Sequence, residues 1–119
     1  MGSSPTLGTE LNKYIMASNN KCYLGTELKL NLSIDPIGNA HMSTYDFIID
    51  VFCNPIKSIR IEKSKANEVD DDNYILCIDS NAIGKGKVKV KVTAYIPDKD
   101  FADGLRTEVV VVDTGISII

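Results

Sequence analysis

Gly86-Lys-Val-Lys-Val-Lys-Val-Thr-Ala-Tyr-Ile96 is the stretch that decides the fold. Val88, Val90, Val92, Ala94 and Ile96 fall on one side of a period of two. Lys87, Lys89, Lys91, Thr93 and Tyr95 fall on the other. This is the pattern of a strand buried on one face, because successive side chains of an extended chain point to opposite sides. Pro97-Asp98 ends it, since proline brings no N–H to a sheet ladder.

The same period extends outward in both directions. Arg106–Val112 supplies the last long strand, and upstream Asn73–Asp79 places Tyr74, Leu76 and Ile78 on one face. Ser58–Lys63 alternates Ile59 and Ile61 against Arg60 and Glu62. Asp46–Cys53 is rich in β-formers and is stopped by Asn54-Pro55. Leu28, Leu30, Leu32 and Ile34 alternate with polar residues until Asp35-Pro36 turns the chain. No window has helical periodicity, and Ala66–Asp72 can form one short turn at most. Parallel sheets need crossover helices that are missing here. The expectation is an all-β antiparallel sandwich of six to eight strands.

Composition frames the rest. The 119 residues carry 13 Lys+Arg against 16 Asp+Glu, a net charge of −3, with 44% apolar and 24% charged residues. With a pI near 5.0 the whole chain is not a basic nucleic-acid binder. No apolar run approaches the roughly 7–15 residues of a secretory core or the about 20 of a membrane span. Residues 1–15 read as a leader or flexible arm, and residues 16–119 as a single sandwich domain. Leu7-Gly-Thr-Glu-Leu11 recurs as Leu24-Gly-Thr-Glu-Leu28, too short a match for a structural repeat. The first copy belongs either to an extra strand or, the reading favoured here, to the arm.

Few residues can carry chemistry. There is no Trp, one His and three Cys. Cys22, Cys53 and Cys77 form no CxxC, and His41 is not spaced to join them in a zinc site. One bridge, Cys53 to Cys77, is open if their strands are neighbours, but buried thiols are expected. His41 reads as an exposed loop imidazole. Asp70-Asp71-Asp72 reads as a solvated turn, because adjacent carboxylates on an extended chain diverge. Asp98-Lys-Asp100-Phe-Ala-Asp103-Gly104 imitates a calcium loop but lacks its third carboxylate and flanking helices, so it reads as a hairpin loop. No catalytic residue, cofactor or metal is expected.

Two surface features stand out. Lys85, Lys87, Lys89 and Lys91 would line one sheet face at intervals of about 6.6 Å. They form either a basic stripe for an anionic partner or, as favoured here, a solvated face paired with acids such as Glu108. Val109-Val110-Val111-Val112 leaves no polar side, so that strand is expected to be covered on both. One cover is the core; the other is the arm, a partner chain or a second copy.

The turn-and-strand texts Asp72-Asn-Tyr-Ile-Leu-Cys-Ile-Asp-Ser80, Ile83-Gly-Lys-Gly-Lys-Val88, Ala94-Tyr-Ile-Pro-Asp98, Asp103-Gly-Leu-Arg-Thr-Glu-Val109 and Asp113-Thr-Gly-Ile116 carry a resemblance. Over about residues 22–119 the chain resembles small immunoglobulin-like β-sandwich proteins encoded in prophages of gut bacteria. It is similar in layout to the N-terminal domains of phage baseplate and tail-fibre proteins. The resemblance implies an immunoglobulin-like fold and a non-enzymatic structural or adaptor subunit. Such a subunit would be homo-oligomeric, docked to other structural proteins, and located in the virion or in the bacterial cytoplasm before assembly. Membrane and nucleic-acid partners are not expected. The alternative is a secreted or surface-attached adhesion or carbohydrate-binding sandwich. With five Tyr and three Phe the aromatic platform for that is thin.

Overall fold

A computed structural model describes residues 21–119. The alternating stretches form eight strands there: β1 (Lys21–Cys22), β2 (Glu27–Ser33), β3 (Asp46–Asn54), β4 (Lys57–Glu62), β5 (Asn67–Asp70), β6 (Asn73–Asp79), β7 (Gly86–Pro97) and β8 (Leu105–Ile118). The only helical pieces among the described residues are single 3-10 turns, Lys63–Lys65 and Ser80–Ala82. The expected arm over residues 1–15, with the first Leu-Gly-Thr-Glu-Leu copy, lies outside the described residues.

Two sheets pack face to face. One has the order β1-β8-β7-β3-β4 and the other β2-β6-β5. These are the places that the immunoglobulin fold gives to its G, F, C and C′ strands and to its B, E and D strands. The protein is therefore all-β, an immunoglobulin-like antiparallel sandwich. It achieves this without the usual inter-sheet disulfide, for neither β2 nor β7 carries a cysteine, and Phe47, Ile49 and Val51 fill the inner face of β3 where no Trp is available. One pairing departs from the expectation of antiparallel strands. β1 runs parallel to the end of β8, Lys21 beside Ser117 and Cys22 beside Ile118. No helix is needed, because the chain reaches that edge by passing from one sheet to the other.

The inner faces make one core. Leu28, Leu30 and Leu32 of β2 and Tyr74, Leu76 and Ile78 of β6 meet Phe47, Ile49 and Val51 of β3 and the alternate residues Val88–Ile96 of β7. Each such side chain fully buried contributes about 1.5–3 kcal/mol. Phe47 sits at one end of this core, edge-on to Tyr74 at 5.1 Å and to Tyr45 at 6.2 Å. A three-stranded sheet cannot cover five strands spaced about 4.8 Å apart. The inward residues of the central strands β3 and β7 are accordingly sealed, whereas Ile59 and Ile61 on β4 and Val110 and Val112 on β8 are only half-buried.

Several expectations are corrected. β8 runs on to Ile118 rather than stopping at Val112. Asp113-Thr114-Gly115 looks like a turn but is a bulge: Gly115 takes φ 78°, its N–H donates to Asp113 Oδ1, and the Thr114 hydroxyl donates to Val88 O at 2.9 Å. Residues 67–70 form the edge strand β5, not a helical turn. Cys53 and Cys77 lie in different sheets, and all three cysteines are free. Cys77 is exposed rather than buried, because Leu76 and Ile78 take the inward side of β6 and alternation sends Cys77 out. Cys53 stays half-buried, its thiol 3.3 Å from Gly84 O, and burial pushes that thiol up from its ordinary pKa.

Candidate interaction surface

β8 and β7 are the longest strands, 14 and 12 residues, and with β3 and β4 they present one broad outer face. Register fixes its rows. Val109, Thr93, Ile48 and Glu62 form one, and Val111, Lys91, Asp50 and Arg60 the next. Val109 is 53% exposed and Val111 52%, while Val110 and Val112 turn inward against the core. Among the described residues the core covers one side of this strand; the arm, partner chain or second copy expected on the other lies outside them. Leu105, 41% exposed, extends the apolar edge toward the β7–β8 loop.

The lysine row is not the continuous stripe that the sequence spacing implies. Lys85 precedes β7 and lies between Gly84 and Gly86, whose positive φ values of 79° and 133° turn the chain out of strand geometry. Lys87 is then offset from Lys89 by the bulge in the β7–β8 ladder. Lys89 and Lys91 remain in register, half-buried, opposite Asp113 and Asp50. Arg60 also donates through Nε to Asp50 Oδ1 at 2.9 Å, and this carboxylate holds the guanidinium above its ordinary pKa. The acid expected to answer the lysines, Glu108, is on the inner side opposite Ala94 and contacts Arg106 instead at 3.1 Å.

The loops use their ionisable groups to fasten one another. His41 Nδ1 lies 2.9 Å from Asp72 Oδ2, so this imidazole is engaged rather than free in solvent. Asp71 accepts from Ser43 Oγ at 2.8 Å, and the backbone of Ser43 donates to Asp71 O at 3.0 Å. The acid run is a hairpin turn with a second task, tying down the loop before β3. In the β7–β8 loop, Asp98 accepts from the Asp100 backbone and from Arg106, and Asp103 accepts from the Leu105 backbone. Among the described residues no three His, Cys, Asp or Glu gather as metal ligands would.

An open hollow of about 670 Å³ lies where β4 passes into β5, lined by Phe47, Glu62, Lys63, Glu68 and Tyr74 among others. Lys63 Nζ donates to Ser43 O and Tyr45 O and stands 5.8 Å from the centre of the Phe47 ring. Tyr74 donates to Glu68 Oε1 at 3.0 Å; burial, then that carboxylate, pushes its phenol up to about 12. These groups satisfy one another and cap the end of the core. No sequence pattern signals this cluster, since Lys63 sits in a polar run and its acceptors are backbone carbonyls.

Comparison with protein-family models, with curated proteins and with solved structures finds no match to this chain. No helix among the described residues is long and apolar enough to cross a membrane.

Proposed function

We propose that this chain is a non-enzymatic structural or adaptor module, a component of a (pro)phage tail or baseplate that works by docking to other protein subunits and to copies of itself. The observation that carries the reading is the outward pair Val109 and Val111, about half exposed in the middle of a regular strand. Isolated exposed valines are ordinary, but two at alternate positions on the same side of a long strand offer a docking row. The resemblance of residues 22–119 to prophage sandwich proteins supplies the setting: the virion, or the bacterial cytoplasm before assembly. The ionisable loop groups support a structural role, for His41, Asp72, Asp98 and Arg106 are spent on holding loops.

The test is light scattering on the chain over a range of concentrations, alone and mixed with the products of its neighbouring genes. A concentration-dependent oligomer or a defined complex is expected, and Val109→Lys with Val111→Lys should abolish it while leaving the melting profile intact. A strict monomer that joins none of those products overturns the reading.

A further inference from the structure

The outer face of β4, β3, β7 and β8 is polarised along its strands. Register adds one row at each end of the two already given. Asp46, Tyr95 and Thr107 lie beyond the Glu62–Val109 row, and Ser58, Phe52, Lys89 and Asp113 beyond the Arg60–Val111 row. Among these side chains, one half of the grid carries Asp46 and Glu62 and no cation, a charge of −2. The other half sets Arg60, Lys89 and Lys91 against Asp50 and Asp113, three cations against two acids, a charge of +1. Apolar surface runs through both halves: Val109 and Val111 are about half exposed, and Ile48, Phe52 and Tyr95 are half-buried. A face that is acidic toward one end and basic toward the other, with valines at its middle, is complementary to itself.

We propose that the partner of this face is a second copy of the chain, stacked face to face with its strands antiparallel. The twofold axis lies in the interface, across the strands, between the Glu62–Val109 row and the Arg60–Val111 row. Each strand then crosses its own copy, and each of those two rows meets the other. Val109 lies over Val111 of the second copy, and Glu62 lies over its Arg60. Lys89 comes over the Tyr95 ring, with Asp46 on the adjacent strand. Symmetry makes every one of these contacts twice. The other face-to-face twofold, parallel to the strands, brings β8 over β4. It would set Val109 over Glu62 and Val111 over Arg60, apolar groups against charges, so the pattern selects the antiparallel stack.

Arg60 has the donors for this. Its side chain is 64% exposed and spends Nε and Nη2 on Asp50, which leaves Nη1 for Glu62 of the second copy. Asp50 comes over Ile48 but keeps its own Arg60, so no unpaired charge is buried. Stacked sheets sit about 10 Å apart, a gap that two long side chains such as Arg and Glu bridge together. Four strands about 4.8 Å apart and four rows about 6.6 Å apart project roughly 500 Å² per copy, which makes the dimer small and concentration-dependent. The arrangement takes the docking role proposed above as given and commits it to one partner and one geometry.

Two charge reversals in the full chain test it. Glu62→Lys and Arg60→Glu each bring like charges together at two places, and each should weaken self-association at least about tenfold in sedimentation equilibrium. An equimolar mixture of the two variants should associate about as tightly as wild type, because in the mixed dimer both 60–62 contacts again pair opposite charges. In wild type, nuclear Overhauser contacts are expected between Val109 of a labelled copy and Val111 of an unlabelled one. Reversals that leave association unchanged overturn the proposal. So does a mixture as weak as its components when both variants keep the wild-type melting profile. If either variant fails to fold, the wild-type contacts decide: their absence, or contacts from Val109 to Glu62 between copies, overturns the antiparallel stack. A wild-type chain that stays monomeric yet joins the product of a neighbouring gene overturns this pairing and leaves the docking role standing; one that joins nothing overturns both.

Discussion

Asp72, in the turn between β5 and β6, holds His41 at 2.9 Å across 31 residues of sequence and also accepts from the Met42 backbone at 3.3 Å. One carboxylate thus fastens the loop before β3 to the hairpin of the opposite sheet. Its neighbour Asp71 secures Ser43, and Asp72 O takes the N–H of Ile34 at 3.2 Å. The clamp carries a titratable member, and that gives it a pH dependence.

The hydrogen bond to Asp72 raises the His41 pKa above its ordinary 6.5. A raised folded-state value means that the contribution is complete below the unfolded value and fades as pH rises through the folded one. The melting temperature gap between wild type and His41→Gln should therefore be wider near pH 5.5 than near pH 8.5. A proton titration of the imidazole ring should show a midpoint above 6.5, and Asp72→Asn should bring it down. A wild-type midpoint at or below 6.5 sinks the prediction.

Phe47 is wholly buried, edge-on to both Tyr45 and Tyr74, with the Lys63 ammonium near its ring. Phe47→Ala should cost about 3–5 kcal/mol, because the cavity lies between two sheets that cannot collapse onto it. Ile61→Ala, on the half-buried inner side of β4, should cost distinctly less. Urea denaturation of both variants decides this; equal losses would mean that the narrow sheet does not set the depth of the core.

Alternation made most of this fold legible. Val88–Ile96, Leu28–Leu32 and Tyr74–Ile78 had to face inward together, and they do. What could not be read was whatever depends on the partner strand. Whether Cys53 and Cys77 are neighbours is a matter of sheet assignment, which periodicity does not encode. The lysine spacing looked like one stripe because a sequence does not show that Gly84, Gly86 and a bulge displace Lys85 and Lys87 from Lys89 and Lys91. For the same reason the valine run gave apolarity without saying which of its residues, Val109 and Val111, turn away from the core. The His41–Asp72 clamp joins residues far apart in sequence through a loop, where no period operates.

Gly86 opens β7 with φ 133°, and a Cβ built there would stand 3.2 Å from Cys53 Cβ on the neighbouring strand. Both the backbone conformation and the close approach require glycine. Gly86→Ala should destabilise by about 1–3 kcal/mol. Gly38→Ala should cost less: its φ is 62°, also left-handed, but nothing lies within 4 Å of its Cβ position. Chemical denaturation midpoints that fall equally for both would show that strain alone, and not the contact with Cys53, fixes the residue at position 86.

Thr114 is a buried polar side chain, 1% exposed, at the bulge that carries β8 past its apparent stop. Its hydroxyl donates to Val88 O and accepts from Ile116 N, so it satisfies two backbone groups that the interrupted ladder leaves over. Thr114→Val keeps the shape and removes both bonds, and should cost about 1–3 kcal/mol, the penalty for buried groups left without partners. Thr114→Ser keeps the hydroxyl and should lose only the methyl group's burial, roughly 0.8 kcal/mol. The amides of Ile116 and Ile118 should lose exchange protection in the valine variant, because Ile116 N bonds Thr114 directly and Ile118 pairs with Gly86 just beyond the bulge. If the valine variant instead matches wild type in both stability and exchange, water fills the gap and the hydroxyl is not what holds the bulge.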